Sequence, residues 1–337
     1  MADNTALKPV VLATDLPVFA VLDGAQFDDL PSALFEGDFV HRPLYLDRGN
    51  GTADQLRTAP QLVWLDHDRK AHRRDEAQED AVPVAPVLQR LLDLIEQRPA
   101  LVFWVCEAGG EALYRHLRGI NKILLPTDAA MDRGKSYERN PLSVEDDVRD
   151  SDHEMVLFRH CDANVMAQVL PSLSPANMAR VLGPASQILC SPDTDWAERP
   201  LRLMRSDDMP SPPAGPLRLS LVEVNGIEER RRLAARRRRI SYLQETCPAE
   251  TRGASRQALE EHIRISDETG NRLGLVSEGA HCRWAFMMCK TNGRIAQSVD
   301  ARQFIGEQGK SPDEQIKLFM RGIIGAMAEQ AGKQRAI

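Results

Sequence analysis

No stretch of this 337-residue chain is apolar for as long as a bilayer span requires. Its first residues, MADNTALKPVVLATDLP, have no basic head, and Asp15 and Pro17 interrupt their apolar run, so no export signal is expected there. A basic excess is missing too. The formal net charge of −6 excludes a globally basic nucleic-acid binder, although it says nothing of local patches. The six cysteines (Cys106, Cys161, Cys190, Cys247, Cys282 and Cys289) include no C-x-x-C pair. Without an export signal they are expected to remain free, mostly buried thiols in a cytoplasmic protein. Cys282 and Cys289 lie two helical turns apart, and no second ligand pair with zinc spacing completes a metal site. The P-loop, G-x-S-x-G and H-E-x-x-H motifs are also absent, and neither a cofactor nor a metal is expected.

What the chain does contain is enough apolar residue to build real cores, 42%, beside 27% charged residue for a watery surface. Its length predicts two domains. From 17 to 204, short apolar runs alternate with amphipathic stretches. PVFAVLDG (17–24) reads as a buried strand ending in a turn, and QLVWLD (61–66) as a second. PVLQRLLDLIEQR (86–98) carries Leu88, Leu91, Leu92 and Ile95 at helical spacing, with Pro86 in its first turn. LVFWVC (101–106), a helix over 110–119 and NKILLP (121–126) form a strand–helix–strand unit; MVLFRH (155–160) is a further strand, with helices near 163–170 and 175–182. Strands alternating with helices predict an α/β lobe, a mixed sheet with flanking helices. Two polar segments, 66–80 and 127–154, read as exposed loops. The Pro/Gly-rich stretch 205–216 reads as a linker, and 217–332 as an all-α lobe with helices at 220–245, 254–270, 273–290 and 312–330. Ser311 and Pro312 are the expected N-cap and first turn of the last helix.

The run RHCD (Arg159, His160, Cys161, Asp162) places thiol-enzyme letters side by side. On a strand, His160 and Asp162 share one face and Cys161 points to the other. A nucleophile, its base and an orienting acid converge from separate segments, so the run is expected to be a strand end with a buried cysteine and an aspartate capping the next helix. CEAGGEALYRHLRG (106–119) lacks the spacing of a dinucleotide loop, and Glu107 and Glu111 would repel an anion; a tight turn explains its glycines. Asp23, Asp28 and Asp29 follow the first strand and fit helix N-termini better than a metal site.

EERRRLAARRRRI (228–240) puts seven arginines into ten residues. On a helix, Ile227, Leu233, Ala234 and Ile240 mark a narrow apolar face, and Arg232, Arg236 and Arg239 a ridge opposite it. Three roles compete for the ridge. It pairs with the protein's own carboxylates, it docks an acidic partner, or, with no interleaved aromatics to stack bases, it touches nucleic acid.

PVFAVLDGA (17–25), PLYLDRG (43–49), APQLVWLD (59–66), GEALYRHLR (110–118) and VLFRHCDANVMAQVLPSLSPANMARVLGPA (156–185) resemble the effector adaptor/chaperone family of bacterial type VI secretion systems. In the family pattern F-R-x-Y-D-P-R-V, the aromatic is here Cys161, and Ala163 and Asn164 stand where proline and arginine do. Segment 127–154 is longer than the short turn the resemblance implies. The resemblance implies structural roles for Asp23, Gly24, Arg159, Asp162, Gly183 and Pro184. It also implies a non-catalytic adaptor that binds a cognate effector toxin through its N-terminal region and loads it onto the VgrG spike. No nucleic acid, membrane insertion or cofactor is implied. The rival class is a cytosolic hydrolase or transferase on an α/β scaffold, for which no motif speaks.

Overall fold

The structure is a computed structural model that describes residues 1–45, 52–65, 84–127, 152–306 and 309–322. By its internal packing the chain forms two compact units, Met1–Arg231 and Arg232–Ile337. The first is α/β and the second, in its described residues, is helical. The division falls inside one continuous helix, Leu221–Thr246, and the stretch 205–216 lies within the first unit. The residues just after that stretch are tied into the first unit's core, since Leu217 and Leu219 are fully buried there.

In the first unit, strands β1 (Val18–Leu22), β2 (His41–Pro43), β3 (Gln61–Trp64), β4 (Leu101–Val105), β7 (Gln187–Cys190) and β8 (Leu201–Met204) make a six-stranded sheet, ordered β2-β3-β1-β4-β7-β8. Every pairing in it is antiparallel. A smaller sheet, β6-β5-β9, combines β5 (Lys122–Pro126), β6 (His153–Leu157) and β9 (Leu217–Arg218), with β5 antiparallel to β6 and parallel to β9. The strand–helix–strand unit at 101–126 therefore does not close within one sheet; its two strands belong to different sheets.

The central strands read as unbroken apolar runs because both faces of the large sheet are covered. Phe19, Val21, Leu62, Trp64, Val102 and Trp104 point into one core. Their sequence neighbours Ala20, Leu22, Val63, Leu101 and Phe103 point into the other, as the two-residue period of a strand requires. Helix Val84–Ile95 closes the second core with Val87, Leu88, Leu91, Leu92 and Ile95. Helices Gly110–Gly119, Ala163–Val169 and Pro175–Leu182 supply Leu113, Leu117, Met166, Val169, Val181 and Leu182 to the first.

In the second unit, helices Arg256–Arg272 and Glu278–Lys290 pack beside the rest of Leu221–Thr246. Trp284 is fully buried and its indole N–H donates to Thr269 Oγ1 at 2.9 Å. The expected helix start at Ser311 is present: its hydroxyl accepts from Glu314 N, and Glu314 Oε2 accepts from Ser311 N, a reciprocal cap. Helical residues continue over 312–322. Of the two expected loops, all of 66–80 and most of 127–154 lie outside the described residues. Among the described residues, no helix is long and apolar enough to cross a membrane.

Candidate functional site

The RHCD run is not a strand end. β6 stops at Leu157, and Phe158 N donates to Asn121 O at 2.8 Å. The chain then turns, with His160 N bonded to Phe158 O and Asp162 N to Arg159 O, both at 3.0 Å. The next helix sets the turn. Asp162 Oδ1 accepts from Asn164 N and Val165 N, so the chain must arrive extended at the N-cap of helix Ala163–Val169. The capping role expected of Asp162 holds, and so does the burial of Cys161, but alternation between sheet faces does not place these side chains.

His160 is fully buried among rings, edge-on to Trp104 and Phe158, with Nε2 donating to Asn121 Oδ1 at 2.8 Å. Burial, aided by the nearby His116, lowers its pKa to about 3, so the ring stays neutral. Cys161 turns elsewhere, toward Asp23 and Arg159. Burial, with the Asp23 charge, raises its thiol well above the usual range. A thiol held protonated and apart from the neighbouring imidazole is no activated nucleophile.

Arg159 is the hub of the arrangement. Its guanidinium is bonded to Asp23, which N-caps the turn Gly24–Gln26 at the end of β1, and lies 3.3 Å from Asp162. Burial opposes the Arg159 charge, but the two aspartates outweigh it and raise its pKa. For Asp162 burial dominates and raises the carboxyl, against the pull of Arg159. Gly24 sits where any side chain would strike backbone: an added Cβ would lie 2.5 Å from Ala59 O. Asp29 caps helix Leu30–Glu36, as expected of an acidic residue there.

Asp23, Arg159 and Cys161 line an open cavity of about 840 Å³, a volume typical of ligand sites. Separate stretches meet in it, among them Asp23 and Ala25, Leu44 and Tyr45, Ala59 and Pro60, Arg118 with Lys122, and Arg159 with Cys161. Tyr45 is raised in pKa by burial, with the Asp23 charge adding to it. Met155 and Leu157 of β6 complete the apolar lining.

Gly183 and Pro184 are outside this cavity. Gly183 has φ of +55°, and His116 packs where its Cβ would be, with His116 Nε2 donating to Val181 O at 2.7 Å. Pro184 O accepts a weak bond from the Cys106 thiol at 3.7 Å. In the other unit, the three arginines of the expected ridge are not equivalent. Arg232 is exposed, Arg236 is half-buried with Nε 3.5 Å from Asp267, and Arg239 is buried between Asp267 at 2.5 Å and Glu278 at 2.8 Å. Leu233, placed on the apolar face by its spacing, is 41% exposed.

Lys122, Met155, Leu157 and Tyr45 are cavity residues that sequence reasoning did not single out. The available signal was the apolar run MVL on a short strand, which supplies both faces rather than one. Among the described residues no group of three or more His, Cys, Asp or Glu side chains is placed to hold a metal ion. Compared with protein-family models, curated proteins and solved structures, the chain matches none.

Proposed function

We propose that this protein is a non-catalytic cytoplasmic adaptor that holds the N-terminal region of a type VI secretion effector and loads it onto the VgrG spike. One observation carries the reading. Stretches on which the resemblance rests, far apart in sequence, converge on a single open cavity lined mainly by apolar side chains. Asp23, Arg159 and Asp162 spend their charges on one another and on helix caps, so they act as a frame for that cavity. Among the described residues its lining includes no histidine, and its one thiol is held protonated. An exposed apolar surface of this kind suits a chaperone that covers a partner's apolar segment and yields it when a competing surface is offered.

The test is co-expression with a type VI effector toxin and a VgrG spike protein of the same genome. The toxin should co-purify with the protein, and a ternary species should form when the spike is added. Failure to retain the toxin, together with turnover of a small molecule by the purified chain, would replace this reading with the enzyme.

A further inference from the structure

The small sheet shows the cavity a pattern that the core does not require. Leu124 lies opposite Met155 and Lys122 opposite Leu157 across β5 and β6. Directly opposed residues share a face, and all four line the cavity. On the other face, Leu125 and Val156 pack against the core, and Ile123, buried in it, also reaches the cavity. Met155 and Leu157 are 61% and 58% exposed, two large apolar side chains left to water on one short strand. The described cavity lining is richer in cations than in acids. Arg118, Lys122 and Arg159 line the cavity, and the only acid among its described lining residues is Asp23, already bonded to Arg159. In a chain of net charge −6 this is a local reversal.

We propose that this face seats an extended peptide segment of mixed apolar and acidic residues. Its apolar side chains cover Leu124, Met155 and Leu157, and its carboxylates meet Lys122. The apolar contacts supply the area removed from water, and Lys122 selects against a basic segment. The adaptor reading supplies only the identity of the partner, an effector segment; the chemistry of the face stands without it.

The probes are a fluorescein-labelled ten-residue peptide alternating leucine with glutamate and its counterpart with lysine for glutamate, titrated by anisotropy into the full-length protein. The acidic peptide should bind saturably and at least tenfold tighter than the basic one. Met155→Ser/Leu157→Ser and, separately, Lys122→Glu should each weaken it at least tenfold with an unchanged melting temperature, since these side chains lie at the surface. Equal binding of the two peptides, or indifference to both variants, would overturn the proposal. So would phosphatidylglycerol vesicles that bind the protein while the acidic peptide does not, which would make the face a lipid surface. Effector co-purification separates the two claims: retention by wild type and variants alike leaves the adaptor and removes this face. Peptide binding without any retained effector keeps the face and removes the adaptor.

Discussion

Arg159 reaches across 136 residues of chain to place its guanidinium on the carboxylate of Asp23. Asp23 is buried, and its carboxylate also accepts from Ala25 N at 3.2 Å and Gln26 Nε2 at 3.1 Å. A pair this well satisfied is costly to break from one side, because the surviving carboxylate keeps its burial and loses its counter-charge. Arg159→Met should therefore lower unfolding stability by about 3 kcal/mol, the lower end for a buried pair because Arg159 is itself partly exposed. Asp23→Asn/Arg159→Met should be less damaging than the sum of the single changes. A double-mutant cycle in urea measures the coupling; additive effects would show that the two side chains are neighbours and not a lock.

His160 makes acid lability a second expectation. Its folded pKa of about 3 lies below the unfolded value of 6.5. Between these values the unfolded chain binds the extra proton, so stability rises with pH across the window and is fully present above about 6.5. On acidification below that value, this group alone should remove up to about 1.4 kcal/mol per pH unit. Stability measured from pH 4 to 7.5 should show a flatter profile for His160→Asn than for wild type. Identical slopes would assign the acid sensitivity to other groups.

Much of the fold was legible because its elements obey local rules. The helices over 110–119 and 175–182 begin and end where spacing and caps put them, and β1, β3 and β4 are apolar runs between turn residues. Pairing was not legible, since nothing in LVFWV and KILLP says that they belong to different sheets. The site divides the same way. Asp162 announces itself as a cap, because a cap is local. The partnership of Asp23 with Arg159, and the exposure of Met155 and Leu157, depend on which strands become neighbours.

Thiol chemistry separates the cysteines by burial. Cys106, Cys161, Cys190 and Cys247 are buried, whereas Cys282 and Cys289 are half-buried. Burial raises Cys190 and Cys289 each to about 12, with the nearby Cys247 adding to the rise at Cys289, so even the more accessible thiols react slowly. Iodoacetamide at pH 8 should label Cys282 first and Cys161 only after unfolding, as read by peptide mass spectrometry. Fast labelling of Cys161 in the folded protein would reopen the thiol-enzyme question.

Two glycines with positive φ offer an internal control on packing. Gly183 and Gly215 have φ of +55° and +84°, but only Gly183 has a neighbour, the His116 ring, 2.2 Å from where a Cβ would sit. Gly215→Ala meets strain alone and should cost about 1 kcal/mol. Gly183→Ala adds a clash with that half-buried ring and should cost about 3 kcal/mol, as overpacking does. Equal shifts in the urea midpoint would mean that the His116 ring moves aside freely.

The arginine helix is best tested one residue at a time. Seven arginines in ten residues suggested a single ridge, yet the ridge residues differ in what surrounds them. Arg239 is 8% exposed and bridges Asp267 of one helix to Glu278 of another, so it ties three helices of the second unit together. Arg239→Met takes its counter-charge from Glu278 and leaves Asp267 to Arg236 at 3.5 Å, and should cost that unit about 3 kcal/mol, within the range for breaking a buried pair. Arg232 is exposed, and Arg232→Glu should change stability by no more than about 0.5 kcal/mol. Hydrogen–deuterium exchange over 256–272 reads this locally: protection should fall sharply in Arg239→Met and stay at the wild-type level in Arg232→Glu. A charge reversal at all three positions would confuse unfolding with lost docking, so a partner test of this helix belongs at Arg232. If Arg239→Met leaves exchange unchanged, its two carboxylates are relieved by solvent, and the network is not what holds these helices.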